Sequence, residues 1–223
     1  MGHRPTAKGF GGVAITVIAF GIAMGWLEGA VVVYLRAATG TGAATPTIDP
    51  AAFARYLPIE VVRELATLVM IAAVGWLAGT TRLERLAWAA VVFGVWDIIY
   101  YVTLNLTIGW PSSLGDWDLL FLVPAPWVGP VWAPIVVSLA LFGFGLVAAR
   151  RLRHGRPIVA SPTSVGAGIV AGGLVIASFL VDPVEVLAQG TAPWTGWPLF
   201  WAGMALAVAA TIAAIRGRPS LGS

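Results

Sequence analysis

Six long apolar runs divide this sequence, and they constrain its fold more than any other feature. They cover about residues 11–35, 58–79, 86–109, 130–149, 164–181 and 197–215. Each run is close to the roughly 20 residues with which an α-helix crosses ~30 Å of hydrocarbon. Only 10% of the residues are charged, against about 25% in soluble domains. We therefore expect an all-α integral membrane protein in which six transmembrane helices form a single domain over residues 1–223.

The basic residues indicate how these helices are oriented. Ten lie on one side of the predicted bundle and three on the other. The larger group is Arg4, Lys8, Arg82, Arg85, Arg150, Arg151, Arg153, Arg156, Arg216 and Arg218, and the smaller is Arg36, Arg55 and Arg63. Because basic loops stay in the cytoplasm, this split predicts that both termini are inside. Lys8 is the only lysine among the 13 basic residues, which together with the Ala and Gly richness favours a bacterial host and hence a multi-pass protein of the bacterial inner membrane. Topology accounts for the basic excess, so the expected partner is the lipid bilayer and not nucleic acid.

The residue types that hold most cofactors are scarce. The chain has no cysteine, which excludes disulfides, iron–sulfur clusters and thiolate zinc sites. Its two histidines, His3 and His154, lie in basic stretches outside the apolar runs. Serine–histidine pairs, H-E-x-x-H and P-loop motifs are also missing from the sequence. We predict neither a metal nor a cofactor.

Small residues recur at helical spacing in three of the runs. Gly21, Gly25 and Gly29 form such a stripe in the first, Gly168 and Gly172 in the fifth, and Gly203 lies in the sixth. Stripes of this kind let transmembrane helices approach closely. Each is therefore predicted to face another helix.

The segment before the fourth run contains several prolines and cannot be one straight helix. A helix from Leu119 to Ala149 would be about 46 Å long, and it would carry four prolines, each of which removes a backbone donor and clashes with the preceding turn. The prediction is a short interfacial or re-entrant piece over 118–123 and irregular chain over 124–130. The fourth span then begins near Pro130.

One face of the third run carries polar side chains at membrane depth. Asp97, Tyr101 and Asn105 are spaced by four residues, and Tyr100 flanks them. A carboxylate near the bilayer centre costs about 2.5–3.5 kcal/mol on insertion scales, so it is kept where it has a partner or a function. These residues are candidates for a ligand-binding site.

Three further charged residues belong to the same level of the membrane. Glu28 lies in the first run, and Arg63 and Glu64 lie in the second. We expect Glu28, Glu64 and Asp97 to converge in the outer half of the bundle, with Arg63 as the only nearby cation. Two interpretations remain open. Arg63 forms an ion pair with Glu28 or Asp97 that fixes helix register, or the excess of acids leaves a carboxyl group free to move a proton or bind a cationic ligand.

Tryptophan is concentrated toward the predicted outer boundary. Seven of the eleven tryptophans lie there, more than an aromatic belt at both interfaces explains. They are Trp110, Trp117, Trp127, Trp132, Trp194, Trp197 and Trp201. With Trp26 and Trp96 beside the buried acids and Asp118 in the proline-rich segment, they predict an aromatic lid over a polar pocket. Trp96, Asp118 and Trp127 complete the set of candidate ligand-binding residues.

Several segments resemble known families. Gly25-Trp26-Leu27-Glu28, Trp96-Asp97-x-x-Tyr100-Tyr101 and the stretch from Asp118 to Val131 resemble a group of uncharacterised multi-pass bacterial membrane proteins over about residues 20–140. That resemblance implies no activity.

Two local resemblances do imply an activity. The stretch from Pro126 to Trp132 is similar to the Trp-x-x-Gly-Pro-x-Trp loop of the TspO/translocator family, which implies binding of porphyrins or sterol-like molecules. Trp96-Asp97-x-x-Tyr100 is similar to a segment of integral-membrane terpene cyclases, in which a buried acid protonates the substrate. That second likeness implies Asp97 as catalytic acid, with Glu28 or Asp182 as the other carboxylate.

Three functions are consistent with these patterns. The first is an outward-facing acidic and aromatic pocket that binds or transports a small lipophilic or cationic molecule. The second is a membrane enzyme with Asp97 or Glu28 as catalytic general acid. The third is a structural subunit of a larger membrane complex or a homo-oligomer, in which every acid is paired.

Overall fold

The computed structural model describes residues 9–40, 54–182 and 193–217. It contains six helices long and apolar enough to cross a membrane. They are α1 (Phe10–Ala38), α2 (Leu57–Ala78), α3 (Arg82–Ile108), α4 (Trp132–Arg153), α5 (Pro162–Leu180) and α6 (Trp197–Arg216). The prediction of six spans is confirmed, and each predicted boundary lies within four residues of the observed one.

The described arginines divide between the two ends of the bundle. One end, called the arginine end, holds the start of α1 and the α2–α3 and α4–α5 connections. Its arginines are Arg82, Arg85, Arg150, Arg151, Arg153, Arg156 and Arg216. The cytoplasmic location of this end stays a prediction of the positive-inside rule. His3, Arg4, Lys8 and Arg218 lie outside the described residues.

Helix α3 is the centre of the fold, packed on α1, α2 and α4. Close approach depends on glycines, because a Cβ at Gly25 would lie 2.6 Å from the Trp96 carbonyl oxygen and one at Gly94 would lie 2.4 Å from that of Ser138. The stripe predicted in the first run therefore faces α3. Trp88, Val91 and Val92 of α3 are fully buried.

Helices α5 and α6 form a separate pair. Gly203 of α6 packs on α5, where an added Cβ would lie 2.9 Å from the Ala171 carbonyl oxygen. The pair joins the other helices mainly through aromatic rings and Gly129, which contacts Phe179. Gly168 and Gly172 differ from prediction, because no atom lies within 4 Å of a Cβ built on either. The expected close packing of these two glycines is wrong.

The proline-rich segment forms a two-stranded antiparallel hairpin of β1 (Trp117–Phe121) and β2 (Trp127–Pro130). The prediction of irregular chain over 124–130 is therefore wrong for its last four residues. The hairpin lies alongside α3, since Asp118 meets Tyr101 while the Phe121 ring lies 6.3 Å from that of Trp96, more than a turn further down α3. We call the end of the bundle that holds its base the hairpin end.

Backbone donors at the hairpin tip are few, which suits a strand within a helical bundle. Pro124 and Pro126 have no N–H group, and Leu122 donates to the Glu64 side chain. At the base, the Val131 and Trp132 N–H groups donate to the carbonyls of Asp116 and Leu114. Non-helical chain at membrane depth needs its polar groups satisfied by protein in this way.

Candidate functional site

A cavity of about 500 Å³ lies between helices α1–α4 and the α5–α6 pair, beside the hairpin. A volume of this size accommodates a small molecule. Nine of the ten residues predicted for ligand binding line it: Glu28, Arg63, Glu64, Trp96, Asp97, Tyr100, Tyr101, Asp118 and Trp127.

Asn105 is the exception. It is absent from the cavity lining, its side chain is exposed, and its Nδ2 donates to the Pro111 carbonyl oxygen at 2.9 Å. The predicted placement of Asn105 in the pocket is therefore wrong. The spacing of four residues put it on the right face of α3, but Asn105 lies one turn beyond the cavity and instead holds the chain that leaves α3.

An ion-pair cluster joins α1 to α2 on one side of the cavity. The Arg63 guanidinium pairs with the Glu28 carboxylate, and Arg63 Nε donates to Glu60 Oε2 at 2.8 Å. Thr67 Oγ1 donates to Glu28 Oε2 at 3.4 Å. The predicted Arg63–Glu28 alternative is thus observed, and one guanidinium serves two carboxylates.

Glu64, one residue further along α2, has a different partner. Both of its carboxylate oxygens lie 3.0 Å from the backbone nitrogen of Leu122 at the tip of the hairpin. The side chain therefore accepts the backbone N–H that directly follows β1, a donor that needs a protein acceptor at membrane depth. Glu64 is 7% exposed.

Asp97 lies near the middle of α3, about 22 Å from Arg82 along the helix. Ser138 Oγ of α4 donates to Asp97 Oδ2 at 2.8 Å. Asp97 forms no ion pair with any described residue, and it remains 8% exposed while it lines the cavity. A carboxyl group with one neutral partner therefore faces the cavity interior.

Asp118 of β1 adds a carboxyl group from the hairpin. It accepts hydrogen bonds from Tyr101 Oη at 3.0 Å and from the Leu119 N–H at 2.9 Å. Burial raises the pKa of Asp118 to about 6, although Arg36 and these two donors act in the opposite direction. The carboxyl group therefore changes protonation close to neutral pH.

The charge inventory of the cavity is larger than predicted. Five carboxylates line it, since Glu60 and Asp118 join Glu28, Glu64 and Asp97. The expectation that Arg63 is the sole nearby cation is wrong, because Arg36 of α1 also lines the cavity. The Arg36 guanidinium lies over the Trp110 ring, with Cζ 4.1 Å from the ring centroid.

Aromatic rings connect α3 to α5 across the hairpin. Phe121 contacts Trp96 on one side and Trp127 on the other, at centroid distances of 6.3 and 5.2 Å. The Trp127 ring stacks on Phe179 of α5 at 6.3 Å. This row forms one wall of the cavity and links the α5–α6 pair to the other helices.

The remaining tryptophans do not form the predicted lid. Among the tryptophans predicted for that role or placed beside the acids, Trp96 and Trp127 line the cavity. Trp132, Trp194 and Trp201 make edge-to-face contacts with Phe200 in a cluster that joins α4 to α6. Trp26 and Trp197 are more than half exposed and do not line the cavity.

The deep part of the cavity, toward the arginine end, is apolar and lined by small residues. Its lining includes Gly168, Ala171 and Gly172 of α5, Ala207 of α6 and Leu141 of α4. No atom lies within 4 Å of a Cβ built on either glycine, so these positions leave open space. We call this part the apolar chamber.

Sequence reasoning missed three residues that shape the site. Arg36 was counted only as a loop charge, although it occupies the last turn of α1. Glu60 shares a helical face with Arg63 and Glu64, which was a usable signal. Ser138 gave none, because an isolated serine in an apolar run usually bonds to its own helix.

Among the described residues, no group of three or more histidine, cysteine, aspartate or glutamate side chains is arranged to hold a metal ion. The carboxylates of the cavity instead bond to Arg63, Ser138, Tyr101 and backbone N–H groups.

These features define the chain as a multi-pass membrane protein, a bundle of six helices with a small β-hairpin and an amphipathic cavity. Comparison with known proteins finds no matching family model, no similar curated protein and no similar solved structure.

Proposed function

We propose that this protein binds a small lipophilic or cationic molecule in the cavity and carries it within, or senses it from, the bilayer. The observation that supports this most directly is the amphipathic character of the cavity. Charged and hydroxyl groups from α1, α2, α3 and β1 line one part, and the apolar chamber forms the other. A binding pocket for a lipophilic molecule combines these two surfaces: apolar walls with a few polar groups that set orientation.

The polar part is built at a cost that packing alone does not require. Glu60, Glu64, Asp97 and Asp118 are each less than 9% exposed, on separate helical turns or strands. Buried carboxyl groups destabilise a membrane protein unless each is matched. Their gathering around one space is the pattern of a binding site.

Under this proposal the hairpin end faces the outer side of a bacterial inner membrane. Arginine is concentrated at the opposite end, which the positive-inside rule assigns to the cytoplasm. The polar part of the cavity, with Arg36 and Glu60, lies toward the hairpin end, and the apolar chamber reaches toward the membrane interior. A bound amphiphile would therefore lie with its polar head toward the outer surface.

Adjacent glycines of α5 provide a matched test. Gly172 lines the cavity and Gly173 does not, and neither has an atom within 4 Å of a Cβ position. Gly172→Leu should fill the apolar chamber, whereas Gly173→Leu places the same side chain outside it. Native mass spectrometry of protein in nanodiscs should detect a bound small molecule in wild type and Gly173→Leu, and should not detect it in Gly172→Leu.

A photoreactive probe tests binding even when the natural molecule has been lost during purification. A fatty alcohol with a photoreactive diazirine in its chain should label wild type and Gly173→Leu saturably, with adducts on Trp96, Phe121 or α5. Gly172→Leu should show several-fold less labelling. Equal labelling of the two variants, or no saturable labelling of the wild type, would contradict the proposal.

One observation supports an enzyme as the second candidate. Asp97 reaches the cavity with Ser138 as its described hydrogen-bond partner, and Phe93, Trp96, Tyr100 and Phe144 line the same region. A carboxylic acid in an aromatic cavity is the equipment for protonating an isoprenoid-like substrate, as the resemblance to membrane terpene cyclases implies.

The two candidates differ in what Asp97→Asn does. For an enzyme, Asp97→Asn should abolish conversion of a polyprenyl substrate by reconstituted protein while labelling by the diazirine alcohol persists. Glu28→Gln tests the other carboxylate, which is already paired with Arg63. If the wild type shows no turnover but is labelled saturably, the enzyme candidate is excluded and the binding function is supported.

A further inference from the structure

Hydrogen-bonding capacity is unequally used around the cavity. Each of its five carboxylates accepts at least one hydrogen bond or ion pair from the protein. Glu28 and Glu60 share Arg63. Glu64, Asp97 and Asp118 accept from Leu122, Ser138 and Tyr101 respectively.

The polar groups without a partner are donors. The Nε1 atoms of Trp96 and Trp127 are buried with no acceptor among the described residues. Arg36 Nη1 is likewise buried without a hydrogen bond. Arg36 lies near Asp118 and its charge acts on that carboxyl group, but it forms no ion pair with a described residue. The unmatched capacity of the cavity wall is therefore for an acceptor.

Arg36 is suited to supply that capacity. Its guanidinium lies over the Trp110 ring, with Cζ 4.1 Å from the ring centroid, and this cation–π contact restricts where the N–H groups lie. It lines the cavity at the hairpin end, opposite the apolar chamber. Guanidinium groups in such fixed positions bind carboxylate or phosphate oxygens with two parallel hydrogen bonds.

We infer that the cavity holds a long-chain amphiphile whose oxygen-bearing head accepts hydrogen bonds from Arg36 and whose hydrocarbon chain extends into the apolar chamber. This inference rests on the proposed function and narrows it from a lipophilic or cationic molecule to one with an acceptor head. A cationic head would have to compete with Arg63, Ser138, Tyr101 and the Leu122 N–H for carboxylate oxygens that already have donors.

Three competitors of equal chain length test the head group. Hexadecanoate, hexadecanol and hexadecylamine are each titrated against labelling by the diazirine fatty alcohol in nanodiscs of zwitterionic lipid. Hexadecanoate should compete at a concentration about tenfold lower than hexadecylamine, since a hydrogen bond to a charged group is worth that factor or more. Hexadecanol reports whether the negative charge of the head is needed.

Arg36→Met should reduce the preference for hexadecanoate over hexadecylamine to about onefold, and Arg36→Lys should keep part of it. Arg85→Met is the matched control, because Arg85 stacks on Trp76 at 3.5 Å in the same manner but does not line the cavity. A merely structural role of Arg36 at the end of α1 would change thermal stability and leave the preference intact.

The outcomes separate this inference from the proposal beneath it. Competition by hexadecylamine at the lowest concentration in wild type, or an unchanged preference in Arg36→Met, would overturn the acceptor-head inference while the binding function stands. Absence of saturable labelling in wild type would overturn the binding function itself. The wild-type ranking decides the inference even if Arg36→Met does not fold.

Discussion

Both carboxylate oxygens of Glu64 on α2 lie 3.0 Å from the backbone nitrogen of Leu122 at the tip of the hairpin. A strand within a helical membrane domain leaves edge N–H groups that lipid cannot satisfy. Glu64 provides the acceptor that a neighbouring strand would provide in a larger sheet. This carboxylate thus has a structural task, beyond the ligand-binding role predicted for it.

The Glu64–Leu122 contact should therefore control stability. Glu64→Ala leaves the Leu122 N–H unsatisfied, and we expect a loss of about 1–3 kcal/mol. Glu64→Gln keeps one acceptor oxygen and should lose much less. Thermal unfolding in detergent micelles measures the difference, with the lipid-facing Leu65→Ala as control, since Leu65 is 46% exposed. Equal melting temperatures for Glu64→Ala and Glu64→Gln would show that the contact carries little energy.

The Arg63 cluster should show strong coupling with Glu28. The two side chains retain 22% and 11% exposure, so the cost of removing one partner should lie between about 1 kcal/mol for an exposed pair and about 3–5 kcal/mol for a buried one. Arg63→Gln alone leaves Glu28 and Glu60 without a cation, and adding Glu28→Gln should restore part of the stability. A double-mutant cycle measures this, and strictly additive losses would refute the coupling.

Gly94 should be intolerant of a methyl group. A Cβ there would lie 2.4 Å from the Ser138 carbonyl oxygen and 2.9 Å from the Phe142 Cβ, and overpacking of this kind costs about 1–3 kcal/mol or more. Gly94→Ala should force α4 away from α3 and weaken the Asp97–Ser138 hydrogen bond. Gly143→Ala is the control, because no atom lies within 4 Å of its Cβ position. Melting temperatures of the two variants provide the comparison, and equal values would argue against tight α3–α4 packing.

Asp118 should make stability depend on pH. Its pKa is raised to about 6 by burial, above the value near 3.9 of an exposed aspartate. Because the folded protein binds this proton more tightly, the added stability is complete below about pH 4 and is lost as pH rises through 6. The difference corresponds to roughly 3 kcal/mol.

The measurement is the melting temperature between pH 4.5 and 7.5. Wild type should lose stability with rising pH relative to Asp118→Asn, which keeps an oxygen acceptor for the Leu119 N–H without a charge. Arg36, Tyr101 and Asp97 face Asp118. Because the charge of Arg36 lowers the pKa of Asp118, Arg36→Met should shift the loss of stability to a higher pH. Parallel pH curves for wild type and Asp118→Asn would remove Asp118 as the source.

Much of the fold could be predicted because a helix that crosses the hydrocarbon layer needs about 20 consecutive apolar residues, and such runs are visible in the sequence. Each apolar run became a helix, and the Gly21–Gly25–Gly29 stripe correctly indicated a helix interface, since a Cβ at any of the three would lie less than 3 Å from α3. The same pattern failed at Gly168 and Gly172. A small residue permits another helix to approach closely but does not require it. Within the described part of the chain, no helix packs against Gly168 and Gly172, and the space beside them is the apolar chamber.

The sequence predicted most residues of the candidate site, but few of the hydrogen bonds and ion pairs that these residues form. Helical spacing on α2 and α3 brought Glu64 and Asp97 to the cavity, but it carried no information about the hairpin. Glu64 accepts from the backbone N–H of Leu122, and Asp97 accepts from the hydroxyl of Ser138. Backbone N–H groups and serine hydroxyls occur at many positions of the chain, so nothing in the sequence marks these two as the partners. Arg36 was missed because an arginine at a span end is ordinarily explained by topology.

The separate packing of α5 and α6 has a consequence for biosynthesis. These helices follow α1–α4 and the hairpin in the chain, so the first four spans reach the bilayer before the last two can cover them. Until then, the side of the hairpin that contacts Phe179 is uncovered. The cavity that Asp97 lines also lacks the wall formed by α5 and α6. Docking of α5–α6 is thus the step that creates the cavity, and a chain truncated after α4 should be recognised by membrane proteases as unfinished.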